Sequence, residues 1–411
     1  MSLIKPFAGL RPAASHATDV VAPPYDVMNA EEACEMASGR PWSFLHISRP
    51  EIDLPQGTDP YSREVYEKGA QNMARMLDEG ILVRDPAYRL YVYRMIMGDH
   101  EQTGLVAAAS VADYDTNRIR RHEFTRPAKE DDRVRQIEAL NAQTGPVLLA
   151  FGDAPDVEVL LGEQSSRNPD ANVTAEGGVH HALWVVDDDA VIRRLVDAFD
   201  AMPALYIADG HHRSAAASRV SAARRGTRHG SADAADGFLS VIFPAGKMKI
   251  LDYNRVVRDL NGLSEDGFLD RVAARFSIAP ASEAVRPAGQ AEFGMYLGGR
   301  WYRLNLDESR IPVDDPVARL DISLLSDNLI EPVLGISDPR RDDRIDFIGG
   351  IRGLEALERR VDSGEMAVAF SLYPTRMDDL MSVADAGEVM PPKSTWFEPK
   401  LVDGLVSLVL D

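Results

Sequence analysis

Five consecutive residues, Asp209-Gly210-His211-His212-Arg213, hold the densest chemistry in the sequence. An apolar run at 204–208 leads into them and an alanine-rich stretch, Ser214-Ala215-Ala216-Ala217, leads out. The pattern predicts a buried strand, a tight turn and a helix. A glycine at such a bend lets the backbone approach a ligand closely. The first turn of a helix has N–H groups with no partner inside the helix, and with the macrodipole they form an anion site. Arg213 adds a planar fork of donors suited to phosphate or carboxylate oxygens, and Ser214 a hydroxyl. His211 and His212 offer donors to the same anion or a proton shuttle. Asp209 is placed to orient or deprotonate a hydroxyl. A purely structural reading makes Asp209 a helix cap and Arg213 a surface ion-pair partner, but it does not account for His-His-Arg directly after the glycine. Metal ligation by Asp209 with one of the histidines is a further reading; adjacent histidines project in different directions, so both cannot join.

Two other motifs carry mixed polar chemistry. In Arg121-His122-Glu123-Phe124-Thr125-Arg126-Pro127 a strand end turns into a helix start bearing Lys129, Glu130 and Arg133. His122 and Glu123 have the types of a base and its orienter, and Glu130 and Arg133 share a helix face. The bland alternative is a solvated, charged helix start. In Met390-Pro391-Pro392-Lys393-Ser394-Thr395-Trp396-Phe397-Glu398-Pro399-Lys400, prolines fix a non-regular backbone. Lys393, Ser394, Thr395 and Lys400 are candidate phosphate contacts there, against the alternative of a C-terminal strap. Weaker candidates for substrate contact are Tyr25 and Asp26 after a double proline, and Asn254 and Arg255 after a strand-like run.

The elements that must position these residues follow from periodicity. A strand is predicted over 4–10 and a helix over 61–79. Strands at 88–97, 103–114 and 119–124 read as an antiparallel meander, followed by a helix from 127 to about 142 and a strand at 146–151. Helices at 156–163 and 187–199 bracket a strand at 181–186; the strand at 204–208, a helix at 214–225 and a strand at 238–243 come next. The Gly-, Ser- and Ala-rich stretch 225–237 predicts a mobile loop. Beyond it lie helices at 264–276, 322–331, 354–363 and 376–386 and strands at 290–297, 299–306 and 366–372. This mixture predicts an α+β or mixed α/β chain. At 411 residues it is too long for one ordinary core. Three lobes are expected: an antiparallel-rich N-terminal lobe at 1–150, a central anion-binding lobe at 151–260 and an αβ lobe with its closing strap at 261–411.

Bulk composition narrows the function. A formal net charge of −20 repels nucleic acid, whose binding draws on lysines and arginines set against phosphates. No stretch approaches the length of apolar sequence that a membrane span needs. The N-terminus has no basic region followed by an apolar run, so no signal peptide is expected. The single cysteine, Cys34, forbids an intramolecular disulfide, fits a reducing cytoplasm, and reads as a buried structural thiol in an amphipathic helix. Neither a P-loop, a dinucleotide fingerprint, a serine-hydrolase elbow nor a paired-histidine zinc motif is present in the sequence.

The three motifs, at 121–125 with 129–133, at 208–213 and at 390–397, resemble the signature of the bacterial domain-of-unknown-function 1015 family over essentially the whole chain. Gly210-His211-His212-Arg213 is also similar to the Gly-x-x-Arg phosphate box of the ParB/sulfiredoxin-like superfamily, which includes nucleotide-gated partitioning proteins and free serine kinases. That resemblance implies a ParB/sulfiredoxin-like central lobe and a phosphotransferase that uses ATP, ADP or CTP to phosphorylate a small hydroxylated, serine-like metabolite, with Mg²⁺ bridging the phosphates. Gly210, His211, His212 and Arg213 would hold phosphate, Glu123 or Asp209 would serve the hydroxyl, and Lys393 and Arg133 would neutralise charge. A nucleotide-gated binding protein without transfer chemistry and a metal-dependent phosphatase are the alternatives. Oligomeric state is left open.

Overall fold

The computed structural model describes residues 2–175, 177–225 and 234–411; most of the 225–237 stretch lies outside them. The chain is mixed α/β. It divides into two compact units, one of Met1–Met248 with Pro399–Asp411 and one of Lys249–Glu398. The expected cut near 150 is not seen, because backbone pairing crosses it. Among the described residues a nine-stranded sheet runs Ile119–Arg120, Leu205–Asp209, Val147–Phe151, Gly237–Pro244, His100–Ser110, Leu90–Met97, His180–Val186, Ala171–Thr174, with Ile4–Lys5 against His100–Ser110. Val147–Phe151 pairs parallel with Gly237–Pro244 and antiparallel with Leu205–Asp209, which in turn pairs parallel with Ile119–Arg120. The core of this unit is built of Leu, Ile, Val and Phe from these strands, including the fully buried Phe151, Phe199 and Phe238.

The meander expectation fails at two places. The return strand stops at Ser110, whose hydroxyl accepts from Asp113 N–H and caps a short helix, Val111–Asp115. The third strand is only Ile119–Arg120, because the backbone N–H groups that follow turn toward histidine rings rather than a neighbouring strand. Cys34 is also a correction. It is exposed, since Ala33 and Ala37 are the buried residues of helix Ala30–Ala37.

A second sheet in this unit runs Leu82–Arg84, Gly9–Pro12, Ser407–Val409, Ala142–Gln143. The last segment of the chain is thus a sheet strand, and an isolated bridge ties Asp403 to Ala22 through reciprocal backbone hydrogen bonds of 2.9 and 3.2 Å. That pairing fixes Lys400 and Asp403 in the first unit.

The second unit holds a six-stranded antiparallel sheet, Phe276–Ala281, Arg300–Leu306, Glu292–Leu297, Val368–Leu372, Tyr253–Val257, Ile345–Gly349, with helix Glu355–Asp362 on its apolar core. The helix predicted over 322–331 is Asp321–Leu325 followed by a π-turn at Ser326–Ile330. Among the described residues no helix is long and apolar enough to cross a membrane.

Candidate functional site

Strand Leu205–Asp209 loses register against Val147–Phe151 between Ile207 and Asp209. Such an irregularity ends the ladder and re-aims the chain. Gly210 follows with φ +97°, where a Cβ would sit 3.1 Å from Arg213 Nε and 3.3 Å from Val147 Cα. The helix starts at His211, earlier than the sequence predicts, and runs to Arg225. Gly210 O accepts from Arg213 N–H at 2.9 Å and Ser214 N–H at 3.0 Å. Among the described residues nothing accepts from the N–H groups of His211 and His212, the two donors a helix start offers to an anion. Gly210→Ala is expected to cost about 1–3 kcal/mol of stability, from the strained backbone alone, read as a lowered denaturation midpoint. A loss under about 0.5 kcal/mol would show that the bend tolerates a side chain.

Arg213 lies inward, its side chain 11% exposed. It donates to Pro146 O and stands 3.8 Å from Asp26 Oδ2 and 3.7 Å from Asp209 Oδ1. Burial works against its charge, but Asp26, Asp209, Tyr25 and Asp403 outweigh that and raise its pKa. Burial likewise opposes the Asp209 carboxylate; Lys400, Arg213 and His211 overcome it and hold the group down at about 2. Lys400 Nζ lies 3.4 Å from Asp209 Oδ2. Asp209 is therefore a fixed anion near neutral pH, better suited to orient than to accept a proton.

The 122–126 segment docks on the two histidines. His211 Nε2 accepts from His122 N–H at 3.5 Å, and His211 Nδ1 is 3.7 Å from Glu123 Oε2. The His122 and His211 rings meet edge to face at 4.5 Å. His212 Nε2 accepts from Arg126 N–H at 3.0 Å. Burial depresses the pKa of all three, His122 to about 4. These rings are thus neutral spacers that hold the segment. His211, expected to donate to the anion, is enclosed, and its ring atoms face the 122–123 backbone and Glu123. Ser214 is also removed from the expected set: it is fully buried and its Oγ donates to His211 O at 3.0 Å. Lys129 remains exposed at the start of helix Pro127–Leu140, and Phe124 is 76% exposed.

That helix is braced on the first by Arg219, which reaches Asp131 at 2.7 Å and Glu130 at 3.2 Å. Arg133 is paired with Asp132 at 2.6 Å and lies 3.9 Å over the Tyr25 ring. Burial raises the Tyr25 pKa against the pull of Arg133. Tyr25, Arg133, Arg213, Asp403, Ser48 and Thr144 line a cavity of about 30 Å³. Two of its buried polar atoms, Ser48 Oγ and Asp403 Oδ1, have no hydrogen-bond partner among the described residues. The cavity has the room and the polar lining for an ordered water. Asp403 was not singled out by the sequence; its only signal is a lone acid within the apolar run from Leu401 to Leu410.

The remaining expected residues lie in the second unit. Lys393 is exposed, with φ +59°. Ser394 Oγ donates to Pro391 O, which ties the loop rather than offering a donor to phosphate, and Thr395 is half-buried. Asn254 is fully buried; its amide donates to Asp252 and its Oδ1 accepts from Leu372 N–H at 3.0 Å. Arg255 is buried with backbone carbonyls as its hydrogen-bond acceptors.

Residues 4–323 match the model of a family described as "Protein of unknown function (DUF1015)". The chain belongs to the DUF1015 family. No curated protein matches it. Among solved structures, free serine kinase in complex with AMP is similar at 12% identity over 72% of this chain and 86% of that one, with a TM-score of 0.33. A conserved hypothetical protein from Pyrococcus furiosus is 14% identical over 73% and 93%, TM-score 0.33. SbnI with a C-terminal truncation, from Staphylococcus aureus, is 11% identical over 72% and 85%, TM-score 0.37. Scores this low do not establish a shared fold, and the site of this DUF1015 member rests on its own geometry.

Proposed function

We propose that the first unit binds the phosphate of a nucleotide at the Asp209–Arg213 turn and transfers a phosphoryl group to the hydroxyl of a small, serine-like metabolite. The observation that carries this reading is the pair of backbone N–H groups at His211 and His212, without acceptors among the described residues, set beside Arg213 and Lys400. Donors of this kind stabilise charge on a transferring phosphoryl group without covalent chemistry. Lys129 adds a cation at the same edge, and the exposed Phe124 ring offers a flat face for a nucleobase. Asp26, 41% exposed on its side chain, and Glu123, 56% exposed, are the carboxylates open to a substrate hydroxyl.

In this reading Asp26 and Asp209 would hold a Mg²⁺ ion brought by the phosphates, through their carboxylate oxygens. No group of three or more metal-ligating side chains is present among the described residues, so the phosphatase reading lacks a ligand set there. The ion would screen charge on the phosphate oxygens; Arg213 stands within 4 Å of both carboxylates, and with Lys400 it keeps Asp209 ionised.

A binding protein without transfer chemistry is favoured by one observation: Asp209 and the histidines are all poor bases near neutral pH, the first held anionic and the others held neutral. The full chain incubated with ATP, ADP or CTP, Mg²⁺ and a panel of hydroxylated amino acids separates the two. Phosphorus NMR should show a new phosphomonoester. Nucleotide binding by calorimetry without product moves the assignment to the binding protein, and absence of both overturns the site.

A further inference from the structure

Buried charges in proteins are almost always paired. Arg255, on Tyr253–Val257, the strand next to one edge of the six-stranded sheet of the second unit, is 4% exposed. No aspartate or glutamate among the described residues stands within ion-pair distance of it. Its acceptors are backbone carbonyls: Nη1 donates to Tyr253 O and Asn254 O, and Nη2 to Lys393 O at 3.0 Å. The guanidinium lies 4.7 Å from the Phe347 ring centroid and 5.8 Å from that of Tyr253. Carbonyls and rings solvate a cation but do not cancel its charge, and burial pulls its pKa down to about 9. The buried acid on the same stretch, Asp252, is committed to Asn254 and to Arg286 at 3.6 Å.

A second cation converges on the same ring. Lys393 Nζ lies 5.6 Å from the Tyr253 centroid, and no acid pairs with it among the described residues. Its left-handed backbone, φ +59°, turns its carbonyl onto Arg255. Beside Arg255 is a cavity of about 20 Å³, lined by Phe347, Ser326, Pro391 and Pro392 among others. That volume admits a single water-sized atom. Two uncompensated cations around one tyrosine are conspicuous in a chain carrying 65 acidic and 45 basic residues.

We propose that Arg255, Lys393 and the Tyr253 face form an oxyanion site in the second unit, independent of the phosphate turn. It takes the terminal carboxylate or phosphate of a small molecule, with one oxygen against Arg255 and the rest beside Lys393. Arg255 and Lys393 supply charge-assisted donors, and Ser326 a hydroxyl at the cavity wall.

Crystals of the full chain soaked in selenate locate the site directly. An anomalous peak within hydrogen-bonding reach of Arg255 and Lys393 is expected, and it should vanish in Lys393→Ala, an exposed position whose truncation leaves the sheet intact. In solution, inorganic phosphate and acetate are titrated separately at constant ionic strength, to distinguish the two oxyanion classes. The stronger of the two should lose about tenfold or more in affinity in Lys393→Ala. No selenate peak there, or a site unchanged in Lys393→Ala, overturns the proposal. A peak at His211 and His212 reports separately on the phosphate turn.

Discussion

Arg213→Gln is expected to destabilise the protein by about 3–5 kcal/mol, the usual cost of removing one partner from a buried ionic cluster. The guanidinium faces Asp26 and Asp209 at 3.8 and 3.7 Å, and the charge of buried Asp403 also acts on it. Glutamine leaves Asp26 without this counter-charge, leaves Asp209 with Lys400 alone, and removes the guanidinium donor to Pro146 O. Denaturant melts near neutral pH measure the loss, and a change below about 1 kcal/mol would mean the cluster is solvated after all. Arg213→Lys separates the structural from the binding role. It keeps the charge and loses the planar fork, so most stability should persist while affinity for inorganic phosphate at the turn falls about tenfold or more. Equal phosphate binding by wild type and Arg213→Lys would remove the arginine from the binding set.

Asp403→Asn should reverse the sign of its effect with pH. Burial drives the Asp403 carboxyl up to about 7, with Asp26 adding to the shift and Arg213 opposing it. An unfolded aspartate titrates near about 3.9. Between those values the folded protein keeps a proton that the unfolded chain has released. The stability this contributes is complete below about pH 4 and is lost as pH rises through 7. At about 1.4 kcal/mol per pKa unit, the full swing is on the order of 4 kcal/mol. The amide mimics the protonated carboxyl at every pH. The variant should match wild type or fall slightly below it at pH 4–5 and exceed it by about 2 kcal/mol or more at pH 8. Taking the difference between the two proteins cancels the other groups with slopes of their own. Asp321, also raised to about 7 by burial, has the same sign. His122, depressed to about 4 by burial, has the opposite one, its contribution being lost as pH falls below 6.5. Melts at pH 5, 6, 7 and 8 test this, and a difference constant across that range would show that Asp403 is ionised throughout.

Arg213 and Asp403 reach the same site by different routes. Arg213 belongs to a local motif, five residues that any reading of the chain would mark. Asp403 lies 190 positions further on, and its importance comes from a single backbone bridge to Ala22.

What the sequence determined by itself is local. Apolar runs bounded by turn residues placed the strand at 204–208, and an Asp-Gly bend before alanines placed the helix after it, because backbone preference and side-chain periodicity act within a few residues. The same logic located the helix that runs Arg63–Asp78 and the helix that begins at Pro127. Partnership at long range was decided only by tertiary structure. Periodicity marks a segment as a strand without naming its neighbour, so Ile119–Arg120 was assigned to a meander and instead pairs parallel with Leu205–Asp209. The same limit hid the second role of His211 and His212, whose nitrogens accept from His122 and Arg126 some 89 and 86 residues away. It also hid the charge state of Asp403, since a carboxyl's pKa depends on how much water the folded chain excludes and which charges it brings near, and neither is encoded in adjacent residues.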